Sequence, residues 1–254
     1  MSIGGGLRFR ADGRTPGQMR PTSIELDVQK WTTASVIIRV GGTHVLCAAT
    51  IEERIPPHLR GKGIGWVTAE YSMLPGATSE RSQRESVKGR LGGRTHEIQR
   101  LIGRSLRGVV DTTVLGERTI TIDCDVLQAD GGTRCASITG GWVALAIALR
   151  RTGYERALKG HLGAVSVGIV ESTLLLDLDY PEDSRAEVDF NVVATDAGTY
   201  VEVQGTAEGK PFQRADMDRL MELADSGIAR LFAIQAEAVE RSGPAAPPAP
   251  SGKR

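Results

Sequence analysis

The chain has 254 residues, of which 40% are hydrophobic and 24% are charged, and its 31 basic residues balance its 31 acidic residues. This composition excludes a chain that is disordered throughout, and it is typical of a globular protein that buries a real core. A membrane-spanning helix needs about 20 apolar residues, and no run in the sequence approaches that length. The first residues carry glycines and arginines where a secretion signal needs an apolar stretch, so we expect a cytoplasmic protein.

The cysteines and histidines indicate neither a metal cluster nor a nucleophile. Cys47, Cys124 and Cys135 show no CxxC spacing, and we expect them to be buried as small apolar residues. The histidines are scattered, and no serine or cysteine beside them belongs to a nucleophile motif. A covalent catalytic triad is therefore not expected.

The two ends of the chain differ in composition from the part between them. Residues 1–13 are rich in Gly and Arg, and residues 242–254 read SGPAAPPAPSGKR, so both are predicted to be flexible. Between them we find no linker and no repeat. The expected organisation is a single domain over residues 14–241.

Charge is unevenly distributed along the chain. Residues 78–118 have an excess of Lys and Arg, and residues 171–225 have an excess of Asp and Glu. The first region suits a polyanion, and the second suits a divalent cation or a basic partner. Two solvated surfaces would explain the same pattern.

Apolar alternation predicts several strands. Two hairpins are expected, with turns at Gly41-Gly42 and Glu171-Ser172, and further strands are predicted over residues 119–126, 186–193 and 200–204. Helical spacing predicts one helix capped by Thr95, a second from about Ser137 to Arg151, and a third around residues 217–231. The predicted fold class is α+β, a layered mixed β-sheet covered on one face by helices.

The stretch DCDVLQADGGTRCASI, residues 123–138, predicts a strand that ends in a Gly-Gly turn and leads into a helix. Gly131 and Gly132 would allow close approach of a ligand to the backbone, and the helix start at Thr133 would direct free N–H groups toward an anion. Arg134 adds a permanent charge that matches two phosphate oxygens. The spacing is neither a P-loop nor a dinucleotide fingerprint, and an ordinary turn would also explain it.

A second Gly-Gly junction lies in KGRLGGRTHEIQRLIGR, where Arg94 stands at the mouth of a predicted helix. Two arginines at two helix entrances would be able to hold one phosphate from opposite sides. Upstream, Arg81 and Arg84 lie in a basic stretch with few apolar residues, which predicts a loop that contacts RNA phosphates without reading sequence.

Acidic residues crowd the stretch from 174 to 193. Glu187, Asp189 and Asn191 alternate with apolar residues and so share one strand face, and Asp183 on the preceding turn is expected to meet Asp189 there. Two carboxylates and an amide are suitable ligands for Mg²⁺, which binds through one or two carboxylates plus substrate phosphates. A hydrated outer strand face is the alternative explanation.

These segments, in order, resemble the RNase PH family of bacteria. The resemblance covers residues from about Asp12 to about Ala238 and rests on RADGRTPGQMRP, GGRTHEIQRLIGRSLR, DCDVLQADGGTRCASITG, YPEDSRAEVDFNVV and VEVQGTAEGKPF. It implies a duplicated β-α unit, a homo-oligomer that forms a hexameric ring of dimers, and a phosphate-dependent 3′-to-5′ exoribonuclease, also termed a tRNA nucleotidyltransferase. The expected substrates are RNA 3′ ends, especially those of tRNA precursors, and the expected products are nucleoside diphosphates.

The resemblance also implies roles for individual residues. Phosphate would be held by Arg94 and by Gly132, Thr133 and Arg134, and the family's acidic pair falls on Asp183 and Asp189. Two positions depart from the family pattern: Gly76 stands where an arginine is common, and Cys135 where a threonine is common. The first puts one RNA or subunit contact in doubt, and the second is small enough that we expect no loss of activity.

The expected mechanism needs no protein nucleophile, because inorganic phosphate is itself the attacking group. Arg94, Thr133 and Arg134 would position it, and Asp183 would act either as a ligand of Mg²⁺ with Asp189 or as a general acid. A catalytically silent RNA-binding ring subunit is the main alternative, and a metal-dependent hydrolase that uses water is another. Retention of both arginines and both aspartates argues against the silent subunit.

Overall fold

A computed structural model describes residues 10–209 and 211–243, with only the backbone described for Ser86 and Lys88. In this part of the chain, the first sheet has five strands in the order β1-β2-β3-β5-β4. Their bounds are β1 (Thr22–Leu26), β2 (Ala34–Val40), β3 (Thr43–Glu52), β4 (Trp66–Met73) and β5 (Thr119–Gln128). Strand β4 runs parallel to β5 and the other pairs are antiparallel, so this sheet is mixed.

The second sheet is antiparallel throughout, in the order β7-β6-β8-β9. Its strands are β6 (Leu162–Val170), β7 (Thr173–Leu176), β8 (Val188–Thr195) and β9 (Tyr200–Ala207). Both predicted hairpins are confirmed. Gly41 turns the first with a φ of 53°, while Glu171 and Ser172 turn the second with φ values of 47° and 61°.

The α-helices in the described residues are α1 (Gly93–Gly108), α2 (Thr112–Leu115), α3 (Thr133–Arg151), α4 (Tyr180–Asp183) and α5 (Arg214–Arg241). Short 3-10 helices cover Pro57–Leu59, Glu85–Lys88 and Glu155–Ala157. The predicted cap at Thr95 is wrong. Helix α1 is capped by Gly92, and Thr95 lies in its first turn, where the hydroxyl donates to Glu85 Oε1 at 2.8 Å.

Helix α3 is buried on nearly all sides and lies between the two sheets. It packs against β2, β3 and β5 of the first sheet and against β6 of the second. Its glycines permit this close packing, because a Cβ at Gly140 would meet Ile38 Cγ2 at 2.7 Å. A helix that is apolar all round must be covered on every side, and two sheets provide that cover.

The α+β class is confirmed, with one correction to the predicted arrangement. We predicted one mixed sheet, whereas the strands form two sheets, of which only the first is mixed. One apolar core joins them through α3, since it includes Ile38 and Ile122 from the first sheet and Leu162 and Ala164 from the second. Helix α5 packs on the second sheet as α3 packs on the first, in agreement with a duplicated β-α unit.

The predicted flexible ends lie partly within the described residues. Residues 1–9 and 244–254 fall outside them. Arg10, inside the segment predicted to be flexible, is buried and donates to the carbonyl of Leu176 at 2.6 Å and to that of Asp177 at 2.8 Å. That prediction is therefore wrong at Arg10, because local composition does not show an ion pair with a residue far away in sequence.

Two other predictions concern burial and membranes. Cys47, Cys124 and Cys135 are all buried, as expected. Within residues 10–209 and 211–243, the helices include none with the length and apolar character that crossing a membrane would require.

Candidate active site

A cavity of about 1000 Å³ opens where the two sheets meet. One wall is the end of β5 and the start of α3, and the other is formed by α4 and β8. The cavity is lined by six of the residues that the sequence analysis singled out: Arg94, Gly132, Thr133, Arg134, Asp183 and Asp189. The structure thus brings the predicted basic and acidic halves of a site together.

The first wall contains the Gly-Gly turn, residues 130–132. Gly131 and Gly132 have φ values of 75° and 66°, and Gly132 is the N-cap of α3. A Cβ at Gly131 would lie 2.6 Å from the carbonyl oxygen of Leu178, so only glycine fits there. The turn is held from β3 by Thr43, whose hydroxyl donates to the Gly131 carbonyl at 2.6 Å. The free N–H groups at the start of α3 therefore face the cavity in a fixed position.

Thr133, the first residue of α3, is held by a residue that the sequence analysis missed. Its Oγ1 lies 3.0 Å from the hydroxyl of Tyr71, which is buried at the end of β4. Burial raises the pKa of Tyr71, so the phenol stays protonated and available for hydrogen bonding. Tyr71 reads in sequence as an ordinary apolar strand residue.

Arg134 is oriented by two polar side chains that sequence reasoning also missed. Its Nη1 donates to Gln204 Oε1 at 2.7 Å and lies 3.8 Å from Glu97 Oε1. Gln204 in turn donates from Nε2 to Glu97 Oε1 at 2.8 Å. The three residues come from α3, β9 and α1, so the orientation of this guanidinium depends on both halves of the fold.

The second Gly-Gly junction differs from the first in backbone geometry. Gly92 caps α1 with an extended φ of −70°, and Gly93 is already helical. We expected the same device to be built twice, but of the two junctions only Gly131-Gly132 is left-handed. Arg94 still reaches the shared cavity from the first turn of α1. A Gly-Gly pair permits left-handed backbone but does not impose it.

The acidic wall is the acidic turn, residues 177–183, together with the start of β8. Asp183 ends α4 and Asp189 lies in β8. Burial, and then the charge of Asp183, raise the pKa of Asp189 to about 6. Burial also raises the pKa of Asp183, against the opposing charges of Arg94 and Arg134. Two carboxyls that both resist ionisation favour a bound cation.

The hydrogen bonding of Asp189 supports the same interpretation. Its Oδ2 accepts from Asn191 at 3.4 Å, whereas its Oδ1 is buried without a hydrogen-bond partner among the described residues. An unpaired buried carboxylate oxygen is costly unless something else binds it. Within the described ranges, no cluster of three or more His, Cys, Asp or Glu side chains could hold a metal ion, which leaves a two-carboxylate site. Such a site fits Mg²⁺, which takes its other ligands from water and substrate phosphates.

The other acidic residues of this region serve the fold. Glu187, expected on the same strand face as Asp189, precedes β8 and accepts from the backbone N–H of Ser172 at 3.0 Å, which holds it at the β6–β7 turn. Asp179 caps α4 by accepting from the N–H of Glu182 at 3.0 Å. The placement of Glu187 was thus wrong, because strand alternation does not extend into the turn before β8.

The basic loop lies apart from the Gly-Gly turn. Arg81 is exposed, and Arg84 lines a neighbouring cavity of about 750 Å³ with the carboxylates of Glu70, Asp123 and Asp125. Arg94 lines both cavities, so the two are adjacent. An RNA strand that follows the loop would therefore approach the site from this side.

The raised pKa of Asp189 predicts a pH-dependent stability. In metal-free buffer, Asp189→Asn is expected to raise the free energy of unfolding near pH 8 by at most roughly 3 kcal/mol. A carboxyl with a folded pKa of about 6 against an ordinary 3.8 loses stability as the pH rises through that window, and below it the variant gains nothing. Urea unfolding across this pH range measures the difference. Asp196→Asn, in the exposed β8–β9 turn, is the control, and a gain independent of pH would contradict burial as the cause.

The fold and the cavity define a class of enzyme that handles phosphate groups by positioning and charge and needs no protein nucleophile. Comparison with known proteins identifies the class further. Residues 18–150 match domain 1 of the 3′ exoribonuclease family, RNase PH, and residues 161–227 match its domain 2. The chain belongs to the 3′ exoribonuclease family.

Individual relatives are similar over nearly the whole chain. Ribonuclease PH of Frankia casuarinae is 55% identical over 246 residues, which cover 97% of this chain and 100% of the relative. Ribonuclease PH of Solibacter usitatus is 57% identical over 237 residues, which cover 91% and 100%. Among solved structures, rice (Oryza sativa) Rrp46 has a TM-score of 0.75 at 20% identity and covers 91% of this chain and 100% of its own. An Archaeoglobus fulgidus exosome with RNA bound to the active site has a TM-score of 0.74 at 19% identity, covering 88% and 91%.

These comparisons confirm the predicted membership of the RNase PH family and the predicted enzyme class, a phosphorolytic 3′-to-5′ exoribonuclease. The silent-subunit alternative is not favoured, because relatives above 50% identity carry the enzyme's name. The exosome structures are near 20% identity and show the fold alone.

Proposed function

We propose that this protein uses inorganic phosphate to remove nucleotides from RNA 3′ ends, especially those of tRNA precursors, and releases nucleoside diphosphates. The observation that carries the proposal is the shared cavity, in which Arg94, Arg134 and the start of α3 face Asp183 and Asp189. The two groups of charges suit two different reacting groups, an anion and the site of bond cleavage. A phosphate can then reach the last phosphodiester without leaving the cavity.

The basic wall is proposed to bind the attacking phosphate. Backbone N–H groups at Gly132 and Thr133 and the guanidinium of Arg134 converge on one side, and Arg94 reaches in from α1. A fork of donors and a helix N-terminus both favour phosphate oxygens. Held in line with the terminal phosphodiester, a phosphate oxygen attacks phosphorus, and the bond to the 3′ oxygen of the shortened RNA breaks. The reverse reaction, untemplated addition from nucleoside diphosphates, uses the same binding groups.

The acidic wall is proposed to hold Mg²⁺ through Asp183 and Asp189. Bound there, Mg²⁺ supplies charge stabilisation for the leaving 3′ oxygen. The unpaired Oδ1 of Asp189 supports this assignment over a role for Asp183 as general acid, because that oxygen has room for a ligand and no donor among the described residues. The two aspartates would also keep their site ionised once a cation is present.

Substrate access and assembly complete the proposal. Arg81 and Arg84 are proposed to contact the RNA backbone outside the cavity. The protein is proposed to be cytoplasmic and to form a hexameric ring of dimers, which the family resemblance supports. Light scattering at working salt tests the ring, and the mass of a monomer would contradict it.

The decisive experiment incubates the pure protein and Mg²⁺ with a 3′-extended tRNA precursor, with and without inorganic phosphate. We expect shortening only with phosphate, and nucleoside diphosphates as the sole mononucleotide product, because the cavity suits phosphate and its described residues include no water-activating cluster. Excess nucleoside diphosphate should lengthen the RNA. Nucleoside monophosphates released in phosphate-free buffer would instead identify a hydrolase.

A further inference from the structure

The N-terminal stretch RADGRTPGQMRP carries three arginines that the proposed chemistry does not use. Arg10, Arg14 and Arg20 are 8%, 5% and 5% exposed, which is unusual for a residue that is always charged. All three guanidinium groups are directed at the acidic turn. Such burial is stable only with carboxylates and hydrogen bonds around each group. The three arginines therefore fix the acidic turn to the N-terminal stretch.

Arg20 is bound to the start of the acidic turn. Its Nη2 lies 2.6 Å from Asp177 Oδ1, its Nε lies 3.0 Å from Oδ2, and its backbone N–H donates to Oδ2 at 2.8 Å. Asp177 has a φ of 55°, an uncommon conformation for a residue other than glycine. The bidentate pair therefore holds a strained residue six positions before Asp183.

The same guanidinium is bound to the Gly-Gly turn. Its Nη1 donates to the carbonyl oxygen of Asp130, the residue before Gly131. Its Nη2 packs behind Gly132, where a Cβ would come within 3.3 Å of it. Arg20 does not line the active-site cavity itself. One planar side chain thus contacts both walls of the cavity from behind.

We propose that Arg20 is a positioning residue that sets the spacing between the phosphate-binding Gly-Gly turn and the acidic turn that carries Asp183. The inference rests on the proposed function, because it assigns the two turns to phosphate and to the metal. Phosphate attack requires both groups at a defined separation, and a rigid guanidinium with donors on two edges can bridge the turns where a lysine cannot. Arg20 acts through the two turns and touches no substrate.

Arg10 provides a matched control within the same stretch. It is also buried, and its Nε donates to Glu182 Oε1 at 2.6 Å. Its other contacts are the carbonyls of Gln18, Leu176 and Asp177, so in the described structure it is bonded to the acidic turn and not to the Gly-Gly turn. Replacing either arginine by lysine breaks a buried bidentate pair, but only Arg20→Lys releases the phosphate side.

The test compares wild type, Arg20→Lys and Arg10→Lys in the full chain with Mg²⁺. Three quantities are measured: the melting temperature, its rise on adding inorganic phosphate, and kcat and KM for phosphate with a 3′-extended RNA. Both variants are expected to melt below wild type. Arg20→Lys is expected to lower kcat/KM for phosphate by about 100-fold and to lose most of the phosphate-induced rise in melting temperature. Arg10→Lys should keep the wild-type KM for phosphate.

The outcomes separate this inference from the proposed function. Equal phosphate KM values in the two folded variants would overturn the positioning role while wild-type phosphorolysis still stands. A wild-type protein that neither binds phosphate nor uses it would overturn both proposals. Should Arg20→Lys not fold, Asp177→Asn, which keeps the shape of Asp177 but removes the charge that holds Arg20, replaces it. A folded Asp177→Asn with a wild-type KM for phosphate would also contradict the inference.

Discussion

Arg134→Ala is expected to lower kcat/KM for phosphate by about 100- to 1000-fold, the usual loss when one charge-stabilising donor is removed from an active site. The guanidinium lies in the cavity wall, with its side chain 15% exposed, and is held by Gln204. Its loss removes a bidentate donor and leaves Glu97, 3.8 Å away in the wild type, to repel the incoming anion. Affinity for RNA should change little, because Arg81 and Arg84 lie outside this cavity.

Steady-state rates at varied phosphate and RNA binding without phosphate measure the two effects. Arg100→Ala removes an exposed arginine from α1 outside both cavities and is the matched control for charge. The double variant Arg81→Ala with Arg84→Ala should behave in the opposite way, with weaker RNA binding and a salt dependence that is flatter by about one unit of slope for each RNA phosphate left without its arginine. Equal loss of RNA affinity in both, with the oligomer intact, would show that the phosphate site and the RNA path are one surface.

Gly131→Ala is expected to destabilise the protein by about 3 kcal/mol or more and to abolish phosphorolysis, since it adds backbone strain to a steric clash. The residue has a φ of 75°, and an added Cβ would lie 2.6 Å from the Leu178 carbonyl oxygen and 2.8 Å from the Asp179 carbonyl carbon. These neighbours are backbone atoms of the acidic turn and cannot rotate away. Relief of the clash must move one cavity wall away from the other.

Gly198→Ala separates strain from clash. Gly198 has nearly the same φ, 73°, but nothing lies within 4 Å of an added Cβ. We expect it to lose only about 1 kcal/mol, the strain alone, and to keep full activity. Urea unfolding and phosphorolysis rates of the two variants give the comparison. Similar losses of stability would show that the acidic turn moves freely and is not pressed against the Gly-Gly turn.

The features that depend on neighbouring residues could be predicted from sequence. Alternation of apolar residues and turn residues located both hairpins, because side-chain period and turn backbone are properties of a few consecutive positions. The Gly-Gly turn before Thr133 and the pair Asp183 and Asp189 were recognisable for the same reason. The family was recognisable because ordered segments of this kind run through nearly the whole chain.

Only the tertiary structure decided which of these features share a site. Gly92 and Gly131 stand in similar sequences, yet one is extended and the other left-handed, because only Gly131 is pressed against a distant turn. The partners of Arg134 and Arg20 are Gln204 and Asp177, 70 and 157 positions away. A hydrogen bond between distant positions exists only once α3 has packed between the two sheets, and no local pattern of residues encodes it.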